Sequence, residues 1–180
     1  MLERLKDLIQ EKSFRAQGEF TLASGKASDC FFDMKRIMGD PEGINLLADA
    51  FLGLIADEEA AYIGGVAMGA IPVVSVLSLK SLDTARPRRA FFIRKDGPKS
   101  HGMEKDLEGQ TPPSGEAALL FEDVTTTGGS ALVGIERLRR EGCSVKTVYT
   151  IVDRLEGAED RFAQEGIRLV ALFTKKDFSG

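Results

Sequence analysis

Apolar side chains recur at helical spacing in two places early in the chain. Leu2, Leu5, Leu8 and Ile9 predict an amphipathic helix over residues 2–13. Pro41 opens a second one over residues 42–56, where Leu46, Leu47, Ala50, Phe51 and Leu54 form the stripe. Downstream the rhythm changes. Short β-branched or aromatic runs at 61–65, 89–94, 117–122, 145–152 and 167–173 predict strands, with helices at 71–82, 129–141 and 157–165. The runs at 117–121 and 148–152 are almost continuously apolar, which suits strands covered on both faces. This alternation predicts an α/β fold, a doubly wound and mostly parallel sheet flanked by helices. Ligands in such sheets sit at the carboxyl ends of the strands.

Composition narrows the picture. With 180 residues, 43% hydrophobic and 29% charged, the chain fits one soluble domain spanning 1–180. A net charge of −4 argues against a sequence-independent grip on nucleic acid. Cys30 and Cys143 match no metal or redox spacing and read as buried free thiols. No stretch reaches the apolar length of a membrane helix, and the first residues mix acids with bases and lack a cleavage site, so a cytoplasmic location is expected.

Between the strands ending near 94 and beginning near 117, about twenty residues lack any period, a length typical of a functional lid or of disorder. Gly97, Pro98, Gly102, Gly109, Pro112, Pro113 and Gly115 punctuate this segment, and Arg94, Lys95, Lys99, His101 and Lys105 make its front half basic. Alone, such a run reads better as a solvated charged surface, and other sites must decide it.

The stretch Leu119–Leu132 carries more. A buried strand ends in adjacent carboxylates, Glu122 and Asp123, followed by Val124, Thr125, Thr126, Thr127, Gly128, Gly129, Ser130 and an amphipathic helix. Glycines allow close backbone approach, and the amides of a helix start attract a phosphate. The absence of Gly-Lys-Ser/Thr excludes a P-loop. The acids would repel bare phosphate, but they suit sugar hydroxyls or a hydrated Mg²⁺ ion while the turn takes the phosphate. A phosphorylated sugar presents both groups. The ordinary structural alternative is a strand–turn–helix whose Thr or Ser caps the helix.

Residues 121–130 resemble the 5-phosphoribosyl diphosphate (PRPP) motif of the type I phosphoribosyltransferases. The resemblance implies that the acidic pair holds the ribose 2- and 3-hydroxyls and that the turn holds the 5-phosphate. It also implies the architecture of that family, with residues 1–40 as a small N-terminal hood. The basic segment from Arg94 to Gly102 resembles the mobile catalytic loop of the orotate phosphoribosyltransferases, taken here as 95–116. By that resemblance Arg94, Lys95, Lys99 and His101 close over PRPP, partly in the neighbouring subunit of a homodimer. Lys95 and Lys99 are four apart, where the family usually has three.

Two further stretches resemble the same family. Residues 17–25 followed by Phe31 and Phe32 are similar to its N-terminal signature, which makes the two rings candidates for flanking the pyrimidine. Ala23 stands where many relatives carry a lysine. The sequence Asp153-Arg154-Leu155-Glu156-Gly157 resembles the element whose arginine pairs with the carboxylate of orotate, and Thr126 matches a position that touches the base. A guanidinium bonds a carboxylate with two parallel hydrogen bonds, and other nucleobases lack that group. More loosely, the glycine-rich residues 63–72 offer bare backbone to pyrophosphate, with Gly69 where some relatives have lysine.

The resemblance therefore implies transfer of the 5-phosphoribosyl group from PRPP to orotate, giving orotidine 5′-monophosphate and pyrophosphate in pyrimidine biosynthesis. Lys95, Lys99, His101 and Asp123 are the expected catalytic residues. Mg²⁺ would be held mainly through PRPP and pyrophosphate, with no dedicated protein metal site. Partners are PRPP, orotate and a second copy of the chain, with neither nucleic acid nor membrane. The alternatives are a type I phosphoribosyltransferase for another base, or a PRPP-sensing regulator.

Overall fold

The computed structural model describes residues 1–16, 20–21, 27–28, 30–94 and 106–178. The N-terminal elements are α1 (Leu2–Lys12), β1 (Phe14–Arg15), β2 (Phe20–Thr21), β3 (Ala27–Ser28), β4 (Phe31–Phe32) and α2 (Met34–Met38). Then follow α3 (Pro41–Leu54), β5 (Tyr62–Val66), α4 (Ile71–Lys80), β6 (Arg89–Ile93) and β7 (Leu107–Gly109). The chain continues through β8 (Ala117–Thr125), α5 (Gly129–Arg140), β9 (Ser144–Asp153), α6 (Ala158–Gln164) and β10 (Arg168–Thr174).

Six strands form one sheet in the order β10-β9-β8-β5-β6-β7. All neighbours are parallel except β6 and β7. The chain winds outward one way through β5 and β6 and the other way through β8, β9 and β10. The order thus reverses between β5 and β8, and a crevice opens at such a point beyond the carboxyl ends.

Alternation inside the apolar runs explains how the sheet is covered. Leu119, Phe121, Tyr149 and Ile151 face one core, shared with α1, α3 and α4. Ala118, Leu120 and Val148 face the other, with Ile135 and Leu138 of α5 and Phe162 of α6. Phe121 stacks on Tyr149 at 5.2 Å between centroids, and Phe51 of α3 meets Phe121 edge-on. Each such fully buried ring contributes about 1.5–3 kcal/mol relative to exposure. Helix α3 begins where expected, because Asp40 accepts a hydrogen bond from the Gly43 N–H and Pro41 occupies the first turn.

Three features depart from the expectations. The segment 95–116 contains a strand, β7, paired antiparallel with β6. Three residues are too few to register as a period. The motif strand does not end at the acids; it runs on to Thr125, because β9 continues beside it and pairs Val124 with Val152 and Thr125 with Asp153. The first forty residues hold two small ladders, β1–β4 and β2–β3, and a short helix, all below the length that periodicity detects. This N-terminal segment is anchored by an aromatic cluster in which Phe32 meets Phe14 at 5.0 Å and Phe178 at 5.3 Å.

Candidate active site

The carboxyl ends of β5, β6, β8 and β9 carry the expected chemistry to one edge of the sheet. Glu122 and Asp123 lie within the last turn of pleat of β8. Glu122 is buried, and its carboxylate accepts a 3.0 Å hydrogen bond from the Thr125 hydroxyl, which is itself fully buried. That bond fixes one carboxylate oxygen. Asp123 is half-buried and overhangs the turn that follows β5, against Gly69. Val124 packs its side chain against the core, so it offers a ligand only main chain.

The Thr/Gly turn leads directly into α5. Gly128 is the N-cap residue, with φ 73° in the left-handed region that favours glycine. A Cβ there would also lie 2.7 Å from the Phe162 ring. No side chain caps α5, contrary to the alternative in which Thr or Ser does so. A hydroxyl cap would consume one amide of the first turn. Its absence fits a turn that presents amides to an anion. Thr126, Thr127 and Gly129 are partly exposed and Ser130 is exposed beside them. Arg161 of α6 donates to the Thr127 carbonyl at 3.4 Å and so brings a cation to the turn. Sequence reasoning missed this residue, since its only signal is a position one helix further on.

Arg154 follows β9 and is buried, with 3% of its side chain exposed. Its Nε lies 3.1 Å from the Glu156 carboxylate, and its Nη2 lies 3.9 Å from the Cys30 thiol. The N-terminal segment therefore folds back beside Arg154. Leu155 adopts φ 57°, and its N–H donates to the Asp153 carboxylate at 2.9 Å, turning the chain away after the arginine. Burial pushes the Asp153 carboxyl above its ordinary range, against the opposing hydrogen bond from Leu155.

The two phenylalanines divide. Phe32 is buried in the aromatic cluster and serves the core, while Phe31 is 39% exposed next to Cys30. Successive residues of a strand point to opposite faces, so both rings cannot flank one planar ligand from this strand. Of the pair, Phe31 is the one on the side open to solvent. Both cysteines are free and buried, as expected.

Arg94 stands at the neck of the basic segment. Its N–H donates to the Asp106 carbonyl at 3.0 Å, its guanidinium pairs with Glu108, and its carbonyl accepts from Arg137. A cavity of about 250 Å³ beside it is lined by Val66, Ile93, Gly129, Ser130 and Val133, so Arg94 shares a hollow with the start of α5. Lys95, Lys99 and His101 lie outside the described residues. Among the described residues, no three His, Cys, Asp or Glu side chains converge as a metal site. None of the described helices is long and apolar enough to cross a membrane.

Comparison with known proteins agrees with this geometry. No protein-family model matches the sequence. The orotate phosphoribosyltransferase of Bradyrhizobium sp. strain BTAi1 is 44% identical over 178 residues, covering 97% of this chain and 95% of that protein. The orotate phosphoribosyltransferase of Aquifex aeolicus is 39% identical over 95% of this chain and 93% of its own length. Among solved structures, the Mycobacterium tuberculosis orotate phosphoribosyltransferase in complex with Fe(III) dicitrate superposes with a TM-score of 0.82 and 31% identity, covering 99% of each chain. Another crystal structure of the same mycobacterial enzyme, in complex with PRPP, has a TM-score of 0.78 at 28% identity and covers 98% of each chain. Near-full-length identity at this level, on a sheet that brings the Thr/Gly turn beside a buried arginine, makes this chain a member of the orotate phosphoribosyltransferase family.

Proposed function

We propose that the chain transfers the 5-phosphoribosyl group of PRPP to orotate, giving orotidine 5′-monophosphate and pyrophosphate. One observation carries this reading. The uncapped Thr/Gly turn after β8 and the buried Arg154 after β9 are joined by a main-chain hydrogen bond, Arg154 N–H to Thr125 carbonyl, at 2.9 Å. A phosphate and a carboxylate would thus be held a fixed distance apart, as a phosphosugar and an acidic pyrimidine require.

In this reading N1 of orotate, its proton given up to solvent, attacks the anomeric carbon while the bond to pyrophosphate breaks, and the bonding electrons leave on the pyrophosphate oxygen. Amides and hydroxyls of residues 125–130 hold the 5-phosphate, with Arg161 beside them. Glu122 and Asp123 hold the ribose hydroxyls. Arg154 receives the orotate carboxylate as a bidentate partner, next to Thr126 and Phe31. Phe32 is not part of the site. Lys95, Lys99 and His101, with Arg94 at their neck, meet the charge growing on pyrophosphate, and His101 donates a proton or hydrogen bond to it. Such preorganised charges typically contribute several kcal/mol to a transition state. A closed loop would also keep water from the cation-like centre.

The donors fit Mg²⁺ carried by the substrate. The half-buried Asp123 would offer a hard carboxylate oxygen at the sugar, and Mg²⁺ is usually bound by one or two carboxylates together with phosphate oxygens. When bound, the ion would neutralise charge on the pyrophosphate leaving group. A homodimer with loop-shared sites and a cytoplasmic location belong to the same reading. Support for the first is that Arg94 and Asp106, which bound the basic stretch, lie at the sheet edge formed by β6 and β7.

The deciding experiment compares turnover of orotate, uracil, adenine and hypoxanthine with PRPP. Orotate should be preferred by orders of magnitude, and preference for any other base would overturn the reading. Binding to nucleic acid without turnover of any base would favour a PRPP-sensing regulator.

A further inference from the structure

We propose that Gly69 is a positioning residue for Asp123, which it aims by leaving no space for a side chain beneath the carboxylate. Strands β5 and β8 are neighbours, and their ladder stops at Gly65 opposite Phe121. Past that point β5 gives way to the turn at 67–70, whereas β8 runs on, so Asp123 overhangs the turn. A Cβ built on Gly69 would lie 2.3 Å from Cγ and 2.4 Å from each carboxylate oxygen of Asp123. These are its three nearest heavy atoms. In this chain the carboxylate occupies the volume that a Cβ at 69 would use.

Glycine has two usual reasons to be needed, a left-handed backbone or a close approach. Gly69 is not among the residues with positive φ, so the first does not apply. The approach is therefore the reason, and what approaches is a carboxylate assigned to the sugar. The contact lies between β5 and β8, where the strand order reverses. It ties the direction of a ribose-binding acid to the turn that faces pyrophosphate, on either side of the bond that breaks. A methyl group at 69 must push the carboxylate away from that direction.

This inference rests on the proposed binding of PRPP, and its test separates the two. Wild type, Gly69→Ala, Asp123→Ala and the double variant of the full chain are compared by PRPP calorimetry and by steady-state kinetics. Gly69→Ala should lower kcat/KM for PRPP by about 10- to 100-fold, the scale of an ångström-sized misplacement, with orotate KM and melting temperature nearly unchanged. In the Asp123→Ala background the same change should cost less than about twofold, because residues acting through one another are not additive. A full, undiminished loss in that background would overturn the proposal and assign Gly69 to pyrophosphate directly. A wild-type-like Gly69→Ala would overturn it too. If Asp123→Ala binds too weakly to read, a crystal structure of Gly69→Ala decides. A displaced carboxylate supports the proposal, and an unmoved carboxylate beside a shifted 67–70 turn refutes it. A wild-type chain that binds PRPP without using orotate would sink the assigned reaction while calorimetry still tested the positioning.

Discussion

The main-chain N–H of Arg154 donates a 2.9 Å hydrogen bond to the carbonyl of Thr125. The bond extends the β8–β9 ladder by one step past the paired residues Thr125 and Asp153. The main chain therefore ties the Thr/Gly turn directly to Arg154. The Cys30 thiol, 3.9 Å from the guanidinium, approaches it from the N-terminal segment.

Arg154→Ala should lose orotate selectively. Truncating one member of a buried charge pair typically costs about 2–5 kcal/mol, which corresponds to about 30-fold or more in kcat/KM for orotate. PRPP binding should persist, since the turn keeps its own amides. Steady-state kinetics with each substrate varied in turn reads the split. Equal losses for both substrates would mean that the arginine supports the fold rather than the base.

Gly128→Ala should weaken the fold and the phosphate turn together. The residue sits at φ 73°, and a methyl group would lie 2.7 Å from the Phe162 ring. Backbone strain of this kind costs about 1–3 kcal/mol. Urea unfolding measures the stability loss, and KM for PRPP measures the displaced turn.

Asp153→Asn should stabilise the protein at neutral pH. Burial raises the folded-state pKa of this carboxyl above its unfolded value. The folded state is then favoured while the group is protonated, and that advantage disappears as pH rises through the folded pKa. The amide keeps an oxygen for the Leu155 N–H without a buried charge. The gain should be clear at about pH 7.5 and vanish near about pH 3, below the ordinary carboxyl range. Denaturant midpoints across pH check it, and a loss of stability at neutral pH would contradict it.

Mixing inactive Arg94→Ala and Arg154→Ala proteins tests whether sites are shared between subunits. Random exchange between two-fold dimers leaves half of them mixed, each with one intact site, so about a quarter of wild-type activity should return. No recovery after verified subunit exchange would place Arg94 in its own subunit's site.

What could be read from residues alone was whatever is local. Helices α1, α3, α4, α5 and α6 and the parallel strands each announce themselves by a period or a continuous apolar run, and their bounds shift by only a few residues. The strand–turn–helix at the acids was legible for the same reason, since its acids, hydroxyls and glycines are contiguous between 122 and 130. Elements as short and as mixed in polarity as β7 and α2 carry no period. Strand β7 exists because β6 completes its hydrogen bonds, and α2 because Met34, Ile37 and Met38 are buried in the core.

Phe31 and Phe32 look alike as a pair, and only packing against Phe14 and Phe178 sends one to the core and leaves the other at the surface. Contact between Cys30 and Arg154 spans 124 positions, and the approach of Gly69 to Asp123 spans two strands. No spacing encodes either. The amino-acid order by itself determined the layers of the sheet and the Thr/Gly turn before α5, because periodicity and turn chemistry act between near neighbours. Tertiary structure alone decided which aromatic ring is exposed, how Arg154 is enclosed and what presses on Asp123. Those are consequences of distant segments competing for the same space.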